Sequence, residues 1–216
     1  MKSRSDSLAR GAACILFLLL VTVAVFRDAL LTAAPVLVGN LLSLDISYAF
    51  YPWRLFGFSC MSKGLIPLWN PYILCGCPFE ANWQSALFYP LNIIFLLLPV
   101  HMAISRSFAL HIFLAALFTY FFMRSISESR FGSLVAALTF MLSGPLILRV
   151  FAGHLSMICA MPWFPAQLLA IEAGMRTRKA GCFVLGGAAL GMQVLSGHPQ
   201  TVCYSVLGAL LYFAAR

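Results

Sequence analysis

Five apolar runs, 104–123, 131–150, 157–174, 180–196 and 201–215, follow one another with only short breaks between them. Each is close to the roughly 20 residues a helix needs to cross a bilayer core. The chain is 62% hydrophobic and 9% charged, against about one charged residue in four for soluble domains. The expected fold is therefore an all-α integral membrane domain. The net charge of +8 does not point to nucleic acid. The basic residues lie in short segments between apolar runs, as topology signals do, and form no basic face with interleaved aromatics.

A further apolar run, 11–26, follows Lys2, Arg4 and Arg10. The pattern is also that of a signal peptide cut near Ala33. Its length, the Arg27–Asp28 pair behind it and the spans that follow favour an uncleaved first helix with a cytoplasmic N-terminus. Alternating six spans then puts Arg124, Arg130, Arg176, Arg178, Lys179 and Arg216 on the N-terminal side with Lys2, Arg4 and Arg10, nine of the fourteen basic residues. The segment 86–100 is short and flanked by prolines. Were it a crossing, the cluster at 176–179 would face outward, so it is placed as a re-entrant or interface-lying piece. The expectation is a single transmembrane domain, 1–216, of about six helices with one large external loop, 27–103.

That loop contains a polar, proline-rich and aromatic-rich island, 44–92. Pro67, Pro71, Pro78 and Pro90 exclude a continuous helix through it. Within it, 46–61 carries Tyr48, Phe50, Tyr51, Trp53, Phe56 and Phe58 and reads as a helix lying in the interface. No carboxylate falls at mid-membrane, which disfavours a proton-coupled transporter and favours chemistry on the external face. On this topology Asp45, Glu80, His101, Arg149, His154 and His198 share that face. Gly153-His154 and Gly197-His198 form a short repeat at the external ends of two spans.

The run Pro67-Leu-Trp-Asn-Pro-Tyr72 is followed by Gly76-Cys-Pro-Phe-Glu-Ala-Asn-Trp-Gln-Ser-Ala-Leu-Phe-Tyr-Pro-Leu-Asn92. Together with Asp45, Tyr51-Pro-Trp53 and the Gly-His and Gly-His-Pro-Gln elements, it resembles the YfhO-like family of bacterial membrane proteins. That family is similar to the GT-C glycosyltransferases, multi-span enzymes that take sugar from a polyprenyl phosphate on the external face of the cytoplasmic membrane. The resemblance implies a general base or metal ligand at Asp45 and transfer to a cell-envelope acceptor. Family members are several times longer, so the chain resembles an N-terminal portion, with a C-terminal region or partner chain to complete it.

Transfer from a lipid phosphate needs a base at the acceptor hydroxyl and positive or hydrogen-bonding groups at the departing phosphate. Asp45 is the catalytic candidate. The substrate-binding candidates are Tyr48, Arg54, Trp69, Asn70, Tyr72, Glu80, Asn82, Gln84, Arg149, His154, His198 and Gln200. A divalent metal bridging Asp45 and the phosphate has no full ligand set in the sequence, and no cofactor is assigned. The tryptophans read equally as headgroup anchors, Arg149 as a residue reaching for the headgroups, and the histidines as polar residues at the water boundary. The competing functions are a non-catalytic lipid-binding subunit and a transporter or flippase.

Overall fold

The computed structural model describes residues 2–32, 44–126 and 129–216. Helix α1 (Lys2–Val25) turns at Phe26 into the short α2 (Arg27–Leu31). A π-helical turn, Ile46–Phe50, runs directly into α3 (Tyr51–Met61), with Pro52 in its first turn where a missing N–H costs nothing. A two-stranded antiparallel hairpin follows, β1 (Trp69–Asn70) with β2 (Cys77–Pro78), in the register Trp69 to Pro78 and Asn70 to Cys77. Two 3-10 turns, Trp83–Ser85 and Pro90–Ile93, lead to the four-residue α4 (Ile94–Leu97). Thus 86–100 is a chain of short turns ending at the next helix.

The remaining helices are α5 (Val100–Ile126), α6 (Arg130–Met141), α7 (Gly144–Ala152), α8 (Leu155–Ala160), α9 (Trp163–Thr177), α10 (Ala180–Leu195) and α11 (Pro199–Ala215). Two of the expected spans are each built from two helices. One breaks at Leu142–Ser143 ahead of Pro145, the other at Met161–Pro162, because a proline is accommodated in a first turn and not in a helix interior. Among the described residues three helical stretches are long and apolar enough to cross a membrane, Val100–Ile126, Arg130–Ala152 and Leu155–Thr177. Ala9–Val25, α10 and α11 are shorter apolar helices.

The described part of the loop, from residue 44 onward, is packed into the bundle. Ile46, Phe50, Arg54 and Phe58 recur every fourth residue along the helical stretch 46–61 and are all buried, so one face of it turns inward. Phe58 stacks on Phe95 with centroids 5.1 Å apart, and Phe56 meets Phe79 edge-on at 4.9 Å. Phe79, Leu87 and Tyr89 belong to the same apolar core as Ile104, Phe108, Ile112, Leu155 and Ile158. Below them Trp163 Nε1 donates to the Tyr89 hydroxyl at 2.9 Å, and that hydroxyl meets His111 Nε2 at 2.8 Å. His111 Nδ1 bonds the Ser107 carbonyl at 2.7 Å. The Tyr89 hydroxyl therefore ties the loop to α5 and α9. Farther along, Gln193 accepts from Gln167 at 2.8 Å and donates to Ser205 Oγ at 2.8 Å, joining α9, α10 and α11 through buried amides.

Candidate functional site

Two glycines at positive φ set the site. Gly153 (φ 81°) closes α7 in the left-handed conformation that spares glycine a Cβ clash, and His154 begins the turn into α8. Gly197 (φ 87°) follows the end of α10 in the same conformation, and His198 caps α11. The short sequence repeat is a repeated structure, helix, left-handed glycine, histidine, helix. Both imidazoles reach one cavity of about 210 Å³, lined by Asp45, Ala49, Phe50, Gln84, His154, Ser156 and His198.

In this cavity His154 is held from both sides. Its Nε2 lies 3.2 Å from Asp45 Oδ2, and Arg149 Nη1 lies 3.1 Å from its Nδ1. A guanidinium has donors only, so Nδ1 accepts and the ring proton sits on Nε2, facing the carboxylate. His198 is oriented differently. Its Nδ1 accepts from the Thr201 backbone N–H at 3.2 Å and contacts Thr201 Oγ1 at 2.6 Å, the capping role usually taken by Ser or Asp. Its Nε2 has no hydrogen-bond partner among the described residues. Asp45 is 56% exposed and His154 30% exposed at the side chain, and such exposed pairs are worth about 0–1 kcal/mol. The cluster therefore contributes little to stability.

Burial, followed by the nearby His154 and Arg149, holds the His198 imidazole below its ordinary value of 6.5. The folded chain then keeps the ring neutral at a pH where the unfolded chain protonates. Stability is full above about pH 6.5 and is lost as the pH falls toward the folded value. Thermal unfolding in detergent should show this decline. His198→Asn, which keeps a capping acceptor, is expected to flatten it.

Gln84 enters the cavity from the loop. Asn82 Oδ1 accepts from the Gln84 N–H at 3.1 Å, capping the 3-10 turn. Arg54 Nη1 donates to the carbonyl of Gln84 at 3.2 Å and, more closely, to that of Ser85. Trp83 Nε1 donates to the Val194 carbonyl at 2.6 Å, fastening the same turn to the end of α10.

The structure thus brings together Asp45, Gln84, Arg149, His154 and His198. Arg54, a candidate substrate contact in the sequence, does not line this cavity. Its side chain is 1% exposed, is directed at loop carbonyls and lies 5.5 Å from the Phe95 ring centroid. Burial pulls its guanidinium down to about 10. Asn82 is likewise engaged in its turn. Asn70 and Tyr72 line a different cavity, and Trp69 lies over Gly76, where a Cβ would come within 2.7 Å of the indole. Tyr48 is 81% exposed and Glu80 is exposed, and neither lines the cavity. Gln200 Nε2 bonds Tyr204 Oη at 2.9 Å on the outer side of α11. His101 also lies outside the cavity lining. Sequence reasoning missed Ser156 and Thr201, small hydroxyl residues whose only signal was their proximity to the two Gly-His pairs.

Among the described residues no group of three or more His, Cys, Asp or Glu side chains is arranged to hold a metal ion. Fold and site define a helical membrane protein with a polar cluster where two helix pairs turn. No family model, no curated protein and no solved structure matches the chain.

Proposed function

We propose that the chain is a GT-C-like membrane glycosyltransferase, or the N-terminal portion of one, that moves a sugar from a polyprenyl phosphate to a cell-envelope acceptor. The observation that carries this reading is the convergence of Asp45, His154 and His198 on one small cavity beside the loop, with Arg149 behind His154. Asp45 takes the proton of the acceptor hydroxyl as its oxygen bonds the anomeric carbon. The bond from that carbon to the phosphate oxygen breaks, and the polyprenyl phosphate leaves with the electron pair. His154 Nε2–H orients the carboxylate, Arg149 fixes the His154 ring from behind, and the Nε2–H of His198 receives the developing phosphate charge. In this reading α1, α10 and α11 also cross, giving six spans with the N-terminus in the cytoplasm and the cluster on the external face of a bacterial cytoplasmic membrane.

The test is transfer from labelled polyprenyl-phosphate sugars in membranes containing the chain, read by mass spectrometry. Asp45→Asn keeps size and hydrogen bonding but not basicity. It is expected to lower transfer about a hundredfold while leaving stability within about 0.5 kcal/mol. Full transfer by Asp45→Asn would remove the centre of the reading. Donor binding without turnover by the wild type would favour a binding subunit, and sugar-lipid flux in liposomes insensitive to Asp45 a flippase.

A further inference from the structure

The helical stretch that carries Asp45 walls a second cavity. Asp45, Ala49 and Phe50 line the first. Trp53, Phe56, Ser59 and Lys63, one to three turns farther on, line a second of about 420 Å³ closed by Asn70 and Tyr72 from the hairpin. That volume falls within the roughly 300–1,000 Å³ of small-molecule sites. Phe50 and Trp53, edge to face at 5.9 Å, stand between the two cavities.

Asn70 is the informative residue. It is 3% exposed, and its Oδ1 accepts the Tyr72 N–H at 2.9 Å. A carbonyl oxygen is needed for that bond, which fixes the orientation of the amide. The amide Nδ2 is not among the buried atoms left without a partner, so its two donors open onto the cavity, where Trp53, Phe56 and Tyr72 supply aromatic walls. An amide whose oxygen is fixed by a turn holds its N–H donors in a set direction, ready for an acceptor that enters the cavity. Tyr72 is 81% exposed, yet it is set in place by an edge contact with Phe56 at 5.9 Å. The second cavity thus offers aromatic faces, a directed amide donor, the Ser59 hydroxyl and the Lys63 ammonium at its edge.

We propose that this cavity binds a sugar ring. A pyranose has apolar C–H faces that pack on aromatic rings and a rim of hydroxyls that accept from donors such as Asn70 Nδ2. An acidic substituent is served by Lys63. Its assignment as the acceptor side rests on the glycosyl-transfer reading; binding of a sugar does not. An acceptor anchored there by one sugar presents a different hydroxyl to Asp45, past the Phe50–Trp53 pair, where the donor phosphate occupies the first cavity.

The experiment is saturation-transfer NMR on the full chain in nanodiscs, with glucose, N-acetylglucosamine and glucuronate as probes. Transfer to the ring C–H protons of at least one sugar is expected. Asn70→Asp keeps the oxygen that holds the Tyr72 turn and removes the donors, and should weaken that sugar about tenfold. Tyr72→Ala should abolish the signal. Asp45→Asn should leave it intact. Absence of signal from all three sugars, or a signal indifferent to both Asn70→Asp and Tyr72→Ala, overturns the site. Sugar binding combined with undiminished transfer by Asp45→Asn overturns the catalytic reading alone, and lost binding with Asp45-dependent transfer overturns this cavity alone.

Discussion

Arg54→Met is expected to destabilise the protein by about 3 kcal/mol, the balance of opposing terms. Methionine fills a similar volume and removes the cost of burying a guanidinium, which is real here because burial already lowers that group to about 10. Against this, the carbonyls of Gln84 and Ser85 lose their donor, at about 1–3 kcal/mol for the buried Ser85 acceptor and less for the part-buried Gln84. The contact with the Phe95 ring disappears as well, worth up to about 2 kcal/mol when desolvated. The losses exceed the relief. The check is reversible unfolding in mixed micelles. Arg54→Lys should recover only part of the loss, since one ammonium does not reproduce the planar fork. An Arg54→Met protein as stable as the wild type would show that the loop is held by its apolar residues alone.

Gly197→Val is expected to cost as much or more. At φ 87° a side chain is strained before it meets anything, by about 1–2 kcal/mol. A Cβ there would also lie 2.6 Å from the Trp83 carbonyl oxygen and 3.0 Å from Gln84 Cα. Both are backbone atoms of a turn already fixed by Arg54 and by the Trp83 bond to Val194, so neither yields easily. A loss of about 3 kcal/mol is expected, with a change in the Trp83 fluorescence environment. Unchanged stability and emission would show that the turn has room to retreat.

Much of the helix layout was legible because hydropathy is a long-range average that ignores local breaks. For the same reason the breaks were missed. Pro145 and Pro162 lie inside continuous apolar runs, and only their preference for first turns reveals that each run holds two helices. Asp45, Arg149, His154 and His198 could be grouped from topology, because span ends on one side must be neighbours. Arg54 could not. An arginine among aromatics reads as an interfacial residue, and its actual partners are main-chain oxygens about thirty positions away, invisible to any local pattern. Asn70 and Asn82 stand in the sequence as substrate-binding candidates in an irregular stretch, but the turns that engage their side-chain oxygens depend on backbone geometry the sequence only permits.

The turn from Trp83 to Ser85 is gripped from within by Arg54 and from without by Val194 and Gly197. A segment fastened on both sides is a doorpost and not a door. Swinging that turn aside would break both grips, whereas the Asp45 carboxylate is half open to its surroundings, so the group assigned the chemistry also stands at an open side of the cavity. Bulk added at Ala49, one turn behind it, is then expected to slow entry more than it disturbs the fold.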